Sequence, residues 1–188
     1  DGDMRHIHRR DGETDLYFVA NRADATQTTE CRFRVTGRQP EWWDPVTVAT
    51  RDLPEFTYGG GFTAVPLRLE PFESGFVVFR KPVETKAPTG RNFPELRAAA
   101  TLSAPWELSF DPKWGGPEKV VFDSLEDWSK RPEPGIRHYS GRAVYRTTFD
   151  FAPDTAKKRC FLSLGTVKNL AAVSLNGVDL GVVWCDPW

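Results

Sequence analysis

The sequence lacks most of the signals that assign a function directly. Its 188 residues contain only three cysteines, with no CxxC pair and no zinc-like spacing, and no Asn-x-Ser/Thr sequon. Cys31, Cys160 and Cys185 are expected to be separate thiols, although Cys160 and Cys185 could pair if their strands were neighbours. No apolar run approaches the roughly 20 residues that span a bilayer. The sequence therefore predicts no metal site and no membrane segment.

A large net charge of either sign is also lacking. The 25 basic residues nearly balance the 26 acidic ones, which leaves a formal net charge of −1. A chain this close to neutral has no long-range field to attract a polyanion or an anionic membrane. We therefore expect neither nucleic acid nor a membrane as partner. The chain opens with Asp1-Gly2-Asp3, without an initiator methionine or a signal segment, so we expect an internal piece of a longer protein.

Motifs for nucleophilic, phosphate-binding and metal chemistry are missing as well. His138 has no G-x-S-x-G elbow to serve, and the triple glycine at 59–61 lacks the Lys-Ser/Thr that completes a phosphate loop. His6 and His8 fall on one face of a predicted strand, but no third ligand is near in sequence. These residues are better explained as a turn and as a half-exposed strand face.

What the sequence does contain is alternation with a period of two residues, which is typical of half-buried β-strands. It predicts strands within 16–21, 31–35, 65–69, 75–79, 142–151, 159–167, 172–175 and 178–183. The last two runs flank Asn176-Gly177, the dipeptide that most readily forms a two-residue hairpin turn. Pro187 is expected to end the last strand, because it has no N–H to donate.

The glycine and proline residues between these runs mark turns, and the whole pattern predicts an all-β chain made of two antiparallel β-sandwich domains. Residues 1–81 form a small sandwich, and residues 82–94 are a linker rich in proline and without periodicity. Residues 95–188 form a second sandwich that is incomplete at its C-terminus. Within it, residues 111–139 are expected to be a long irregular loop that holds a short helical turn at 124–130.

Several motifs carry a resemblance to a known fold and family. The motif Tyr145-Arg146-x-x-Phe149, the step Leu164-Gly165-x-Val167, the hairpin around Asn176-Gly177 and Trp184-x-x-Pro187-Trp188 resemble the galactose-binding-like jelly roll. Residues 106–117 and 125–129 resemble the C-terminal part of glycoside hydrolase family 106, the bacterial α-L-rhamnosidases. Residues 7–10, 17–21, 43–45 and 66–71 are similar to the β-domain that precedes this jelly roll.

The resemblance implies a non-catalytic C-terminal accessory segment of a glycoside hydrolase that degrades plant or microbial polysaccharide. It would support the upstream catalytic barrel of the same polypeptide and could also contact the glycan. The catalytic acids and a calcium-assisted sugar site would belong to that barrel, with no cofactor in this chain. A periplasmic or extracellular location follows from the resemblance alone. Two alternatives remain open: a free-standing carbohydrate-binding module and a purely structural β-sandwich.

No catalytic residue is assigned, because glycoside hydrolysis needs two carboxyl groups roughly 5 to 10 Å apart across the bond. The acidic residues in 111–139 are interpreted instead as solvent-exposed surface residues. The chain alone is therefore expected to be inactive. The predicted carbohydrate-binding residues are Trp114, Trp128, Lys113, Asp127 and Arg131. Their loop combines aromatic faces that can stack on a sugar with groups that can bind hydroxyls. The alternative is that both rings fasten the loop to the sandwich.

Overall fold

The computed structural model describes residues 3–84, 89–103, 105–152 and 160–186. Nearly all of its regular structure is antiparallel β-strand, so the predicted all-β class is confirmed. Two compact units are present, Asp1–Glu95 with Phe161–Trp188, and Leu96–Cys160. The sequence-based division instead grouped 161–188 with 95–160. That division into 1–81, 82–94 and 95–188 stays a prediction, because compactness does not show which segments fold alone.

The N-terminal part of the first unit, up to Glu95, contains two antiparallel sheets. Its strands, numbered in chain order, are β1 (Met4–Asp11), β2 (Thr14–Asn21), β3 (Gln27–Phe33), β4 (Arg38–Trp43), β5 (Thr50–Asp52), β6 (Thr57–Gly59), β7 (Phe62–Leu69) and β8 (Ser74–Pro82). The larger sheet has the order β1–β2–β8–β4–β5, and the smaller has the order β3–β7–β6. The alternating runs in the first 81 residues fall in β2, β3, β7 and β8, so those strand predictions are confirmed, except that the run 31–35 extends two residues beyond the end of β3 at Phe33.

One apolar core fills the space between these two sheets. Every second residue of β7 is buried, including Val65 and Leu67, and these side chains meet Tyr17 and Val19 of β2 from the facing sheet. Two sheets that bury alternate residues against each other make a β-sandwich. The period of two that predicted the strands thus also selects the face that each strand buries.

Part of the segment predicted as a linker is fastened to this sandwich. The Asn92 side chain is buried, and its Nδ2 donates to the carbonyl oxygens of Glu55 at 2.6 Å and Pro66 at 3.1 Å. The next side chain, Phe93, packs edge-on against Trp42 with ring centroids 5.8 Å apart. The described residues at this end of the segment therefore form part of the first unit.

The second unit is built on a three-stranded sheet. Its strands are β9 (Trp106–Ser109), β10 (Val120–Phe122) and β11 (Val144–Arg146), in the order β10–β9–β11. A small core covers it, made of Leu108, Phe110, Phe122, Ile136 and Tyr139. The region 111–139 supplies three of these five residues, so it is an integral part of the unit.

The expectation of a long irregular loop at 111–139 was therefore wrong. The region contains β10, a 3₁₀ turn at Pro112–Trp114, a second one at Trp128–Lys130 and a short helix α1 at Pro134–Arg137. The helical turn predicted within 124–130 is confirmed. Strand β10 escaped prediction because three residues are too few to show alternation, although its pairing with β9 buries Phe122 completely.

Two predicted strands are shorter than expected or missing. In the run 142–151, only Val144–Arg146 is a strand, and it pairs with Ser109, Leu108 and Glu107 of β9. The described residues 160–170 form no strand at all. There the backbone turns at Gly165 and Asn169, which have φ angles of 72° and 78°. Apolar and polar residues alternate in these runs, but outside Val144–Arg146 the described residues provide no neighbouring strand that pairs with them.

The predicted C-terminal hairpin is confirmed. Strands β12 (Ala171–Leu175) and β13 (Val178–Val183) pair around Asn176 and Gly177, whose φ angles of 51° and 80° are both positive, as the tight turn requires. Within the described residues these strands pair only with each other. Pro187 and Trp188 lie outside the described residues. The jelly-roll assignment and the incompleteness of this sandwich stay predictions.

Candidate functional site

The first 3₁₀ turn of the second unit presents one of the predicted sugar-binding rings. An Asp111 carboxylate oxygen accepts from the Lys113 backbone N–H at 2.9 Å at the start of the turn. At its end, Gly115 has a φ of 84° and its N–H donates to the Pro112 carbonyl at 3.0 Å. Trp114 is 71% exposed on this fixed backbone, and Lys113 beside it is also exposed.

The second 3₁₀ turn directs its tryptophan inward instead. Asp127 accepts from the Ser129 backbone N–H at 3.0 Å and from the Ser129 hydroxyl at 2.7 Å, which fixes the start of the turn. The Trp128 ring then packs edge-on against Phe110 and Tyr139, with centroids 5.5 and 6.1 Å apart. Trp128 therefore contributes to the core of the unit, as the loop-fastening alternative expected.

Arg131 joins several parts of the same region. Its Nε donates to Glu133 at 3.0 Å, one terminal nitrogen donates to Glu126 at 2.7 Å, and the guanidinium lies 4.6 Å from the Phe122 ring centroid. The hydrogen bonds from Arg131 hold the pKa of the Glu133 carboxyl below its usual value. Of the five predicted residues, Trp114 and Lys113 are thus exposed, whereas the other three make contacts within the unit. Their role in carbohydrate binding stays a prediction.

An open depression of about 380 Å³ begins at Gly115, the residue that follows the exposed tryptophan in the chain. Its lining includes Gly115, Gly116, Lys119, Glu133 and Gly135. A Cβ on Gly135 would lie 2.5 Å from the Gly115 carbonyl oxygen, so only glycine allows helix α1 and the turn to approach this closely. The prediction missed these residues. The Gly-Gly-Pro sequence directly after Trp114 was the available signal, since it marks a close backbone approach.

Among the described residues, the most buried carboxylate lies elsewhere, in the five-stranded sheet. Glu41 is almost completely buried and accepts from Arg80 Nε at 2.7 Å and from the Lys81 ammonium. Burial alone would raise the pKa of Glu41, but the hydrogen bonds and charges of Arg80 and Lys81 outweigh it and lower the pKa. An acid held ionised in this way stabilises the sheet and is poorly suited to donate a proton.

Glu73 is the one carboxylic acid in the described part of the chain whose pKa the fold raises. Burial is the main cause, and the nearby charges of Glu70 and Asp44 add to it. Its carboxylate accepts from the Glu70 backbone N–H at 2.7 Å and so closes the turn between β7 and β8. We interpret Glu73 as a turn residue, although a raised pKa is also what a general acid needs.

The remaining sequence-based expectations concern metals, membranes and thiols. The described residues contain no group of three or more His, Cys, Asp or Glu side chains arranged to hold a metal ion. His8 stacks on Tyr17 at 4.2 Å and bonds Asp15 at 2.8 Å, which accounts for its place on the strand. All three cysteines are free thiols, as predicted. None of the described helices is long and apolar enough to cross a membrane.

Comparisons with known proteins find glycosidases. The structure is similar to the solved rhamnosidase from Novosphingobium sp. PP1Y, with a TM-score of 0.85 and 36% identity, over 99% of this chain and 18% of that one. A protein from Formosa agariphila named "Putative beta-glucuronidase" is 35% identical over 89 residues, which are 46% of this chain and 8% of that protein. This chain therefore spans only a small part of either relative.

The class of protein to which these relatives belong is the glycoside hydrolase. Within that class, the family 106 model, described as alpha-L-rhamnosidase, matches residues 1–58. The resemblance that the sequence motifs indicated is therefore confirmed, and it concerns a partial segment of such a protein.

Proposed function

We propose that this chain is a non-catalytic accessory segment of an α-L-rhamnosidase-like glycoside hydrolase that acts on plant or microbial polysaccharide. One observation carries the proposal. Almost the whole chain matches a rhamnosidase in fold and at 36% identity, yet it spans only 18% of that enzyme. A segment of this size and all-β composition fits the role of supporting a larger catalytic barrel in the same polypeptide.

The surroundings of the acidic residues support a non-catalytic role. A glycosidase needs one carboxyl group that stays protonated and a second that is ionised, facing each other across the sugar bond. Glu41 and Glu133 have lowered pKa values and are held in ion pairs. Glu73, whose pKa is raised, bonds the backbone of its own turn. These acids are occupied with holding the fold together.

The proposed partners follow from the same role. The catalytic acids, and calcium if the parent enzyme uses it, would belong to the barrel. The second unit, with its predicted galactose-binding-like fold, would lie against the barrel or beside the glycan. An enzyme that degrades external polysaccharide acts in the periplasm or outside the cell, and we propose that location.

The test compares this chain with the longer polypeptide of its gene. Release of nitrophenol from 4-nitrophenyl α-L-rhamnoside is measured for the long form, for the long form without this segment, and for this chain alone. We expect activity in the long form only, with loss of activity or of soluble protein when the segment is removed. Turnover by this chain alone that survives repurification would overturn the proposal, and Glu73→Gln would then be the first variant to assay.

The two alternatives give different results in the same experiments. A free-standing carbohydrate-binding module would have no barrel in its reading frame and would still bind polysaccharide. A purely structural sandwich would be needed for soluble expression of the long form but would bind no polysaccharide. The first outcome would replace the accessory role with that of a carbohydrate-binding module, and the second would replace it with that of a structural sandwich.

A further inference from the structure

The exposed Trp114 is the starting point, because it is presented without being needed for the core. Its indole is 71% exposed, and the core of the second unit is formed by other side chains. The turn that carries it is closed at both ends by hydrogen bonds from the backbone of Lys113 and Gly115. A ring on a backbone that is already ordered loses little conformational entropy when a ligand stacks on it.

The backbone that forms the depression is closely packed. A Cβ on Gly116 would lie 2.5 Å from Phe110 Cβ, and one on Gly135 would lie 2.5 Å from the Gly115 oxygen. The turn and helix α1 are therefore packed backbone to backbone, so the shape does not depend on long flexible side chains. Its volume of about 380 Å³ is that of a site for a small ligand group.

The charged groups on its lining balance each other. Lys119 is mostly exposed and bonds Glu107 at 2.5 Å, and Glu133 is partly exposed and bonds Arg131 at 2.5 Å. One cation and one anion give hydrogen-bonding capacity for hydroxyl groups without a net field. A polyanion would gain nothing from this pair, because attraction to Lys119 is offset by repulsion from Glu133.

The geometry points to Trp114 and this depression as a binding subsite for a neutral polysaccharide chain. The indole stacks on the C–H face of one sugar ring, while Lys119 and Glu133 bond hydroxyls of the same chain. Trp128, Asp127 and Arg131 position this surface and do not touch the sugar. The inference rests on the proposed function, since a glycoside hydrolase segment meets polysaccharide.

A protein partner is the competing occupant of the same surface. Protein interfaces surround a central aromatic residue with other apolar side chains that exclude water. Here the chain neighbours of Trp114 are Lys113 and Gly115, and the lining of the depression mixes the charged Lys119 and Glu133 with the apolar Pro117, Val120 and Ile136. A sugar has both C–H faces and hydroxyl groups, so it can contact both kinds of lining group, whereas a protein anchor would leave the two charges inside an apolar interface.

The experiment uses the whole 188-residue chain and affinity gel electrophoresis. Galactan, arabinan and xyloglucan are the neutral probes, and polygalacturonate is the anionic one. We expect retardation by at least one neutral probe, with no more than a twofold change in affinity between 50 and 500 mM NaCl. Trp114→Ala should weaken binding by about fivefold or more, because the stacking contact is lost.

Two variants separate stacking from general apolar contact. Trp114→Tyr should retain part of the affinity, since it keeps an aromatic face, whereas Trp114→Leu should behave like the alanine variant. Trp184→Ala is the matched control, because Trp184 is also an exposed tryptophan, at 59%, but lies after strand β13. That control should bind like the unmodified chain. Each variant is checked by thermal unfolding, and Trp128→Ala marks the loss expected when a core ring is removed.

Every other result overturns the subsite. No retardation by any neutral probe, retardation by polygalacturonate alone, or equal binding of the Trp114→Leu variant would each do so. Failure here leaves the accessory role intact if the long form still requires the segment for rhamnosidase activity. Conversely, a long form without such activity, together with Trp114-dependent binding, would remove the proposed function and keep the subsite.

Discussion

Apolar and polar residues alternate along the strands of both the β1–β8 sandwich and the β12–β13 hairpin. Only the sandwich buries its apolar residues. In the sandwich, the apolar face of β7 is completely covered by the facing sheet. The hairpin strands are also paired, with one irregularity between Val173 and Ser174. Val173 and Val183 are half-buried, but most of the large apolar side chains are exposed: Leu175, Val178, Leu180 and Val182. A strand pattern therefore predicts pairing, whereas burial depends on a second layer.

The difference also separates two kinds of stability. A buried side chain in the sandwich is stabilised by neighbours from two sheets, so it reports on global unfolding. A hairpin residue is stabilised mainly by its own turn and cross-strand pairs, so it reports on local opening. The predictions below test this separation, and the expected effects become smaller from one to the next.

The largest effect is expected from matched leucine truncations. Leu67 in β7 is 1% exposed and Leu180 in β13 is 53% exposed. Leu67→Ala should lower the free energy of unfolding by about 2–5 kcal/mol, because it leaves a cavity in the core, whereas Leu180→Ala should change it by less than about 1 kcal/mol. Urea unfolding followed by tryptophan fluorescence measures both. Equal losses would show that the hairpin unfolds cooperatively with the sandwich.

A buried carboxylate should give the next effect, and it depends on pH. Glu41→Gln removes the anion that Arg80 and Lys81 share, and we expect a loss of roughly 1–3 kcal/mol at pH 7. The matched control is Glu107→Gln in the second unit, which breaks an exposed pair with Lys119 and should cost less than about 0.5 kcal/mol.

The pH dependence gives the prediction its sign. The pKa of Glu41 is lower in the folded chain than in the unfolded chain, so the ion cluster contributes its full stabilisation above about pH 5. That contribution is lost as the pH falls through the folded pKa, and the difference between Glu41→Gln and the unmodified chain should vanish there. A difference that persisted unchanged in acid would mean that the charge of Glu41 is not what stabilises the sheet.

Matched turn substitutions should give a smaller global effect. Gly12 joins β1 to β2 with a φ of 55°, and Gly177 joins β12 to β13 with a φ of 80°. Valine resists positive φ, so each change should cost roughly 1–3 kcal/mol where it acts. For Gly12→Val we expect the loss in global urea unfolding. For Gly177→Val we expect it in hydrogen exchange of the hairpin amides, with the global midpoint almost unchanged.

Sequence reasoning succeeded where the local signal was sufficient and failed where a distant partner decided. The turn at Asn176-Gly177 was predictable, because that dipeptide itself tolerates positive φ. The end of β11 at Arg146 was not predictable, because the alternating pattern continues to Phe151 whereas the pairing with β9 stops at Glu107. Likewise, Trp114 and Trp128 have the same local signal, and only the packing of Phe110 and Tyr139 makes one of them a core residue.

The smallest effect leaves the fold unchanged and compares thiols. Cys31 packs against the sandwich core, and burial raises the pKa of its thiol. Burial, followed by the charges of Asp44 and Asp186, also raises the pKa of Cys185, whereas Cys160 is exposed.

Because the thiolate is the reacting species, the expected order of modification by a disulfide reagent at pH 8 is Cys160, then Cys185, then Cys31. Variants that retain one cysteine each isolate the three rates. Urea below the unfolding transition should leave Cys31 the slowest of the three to react, because its half-buried side chain packs against the sandwich core. Modification of Cys31 as fast as Cys160 would mean that the core between the two sheets is not closed, and the contrast between sandwich and hairpin would then fail at its better packed end.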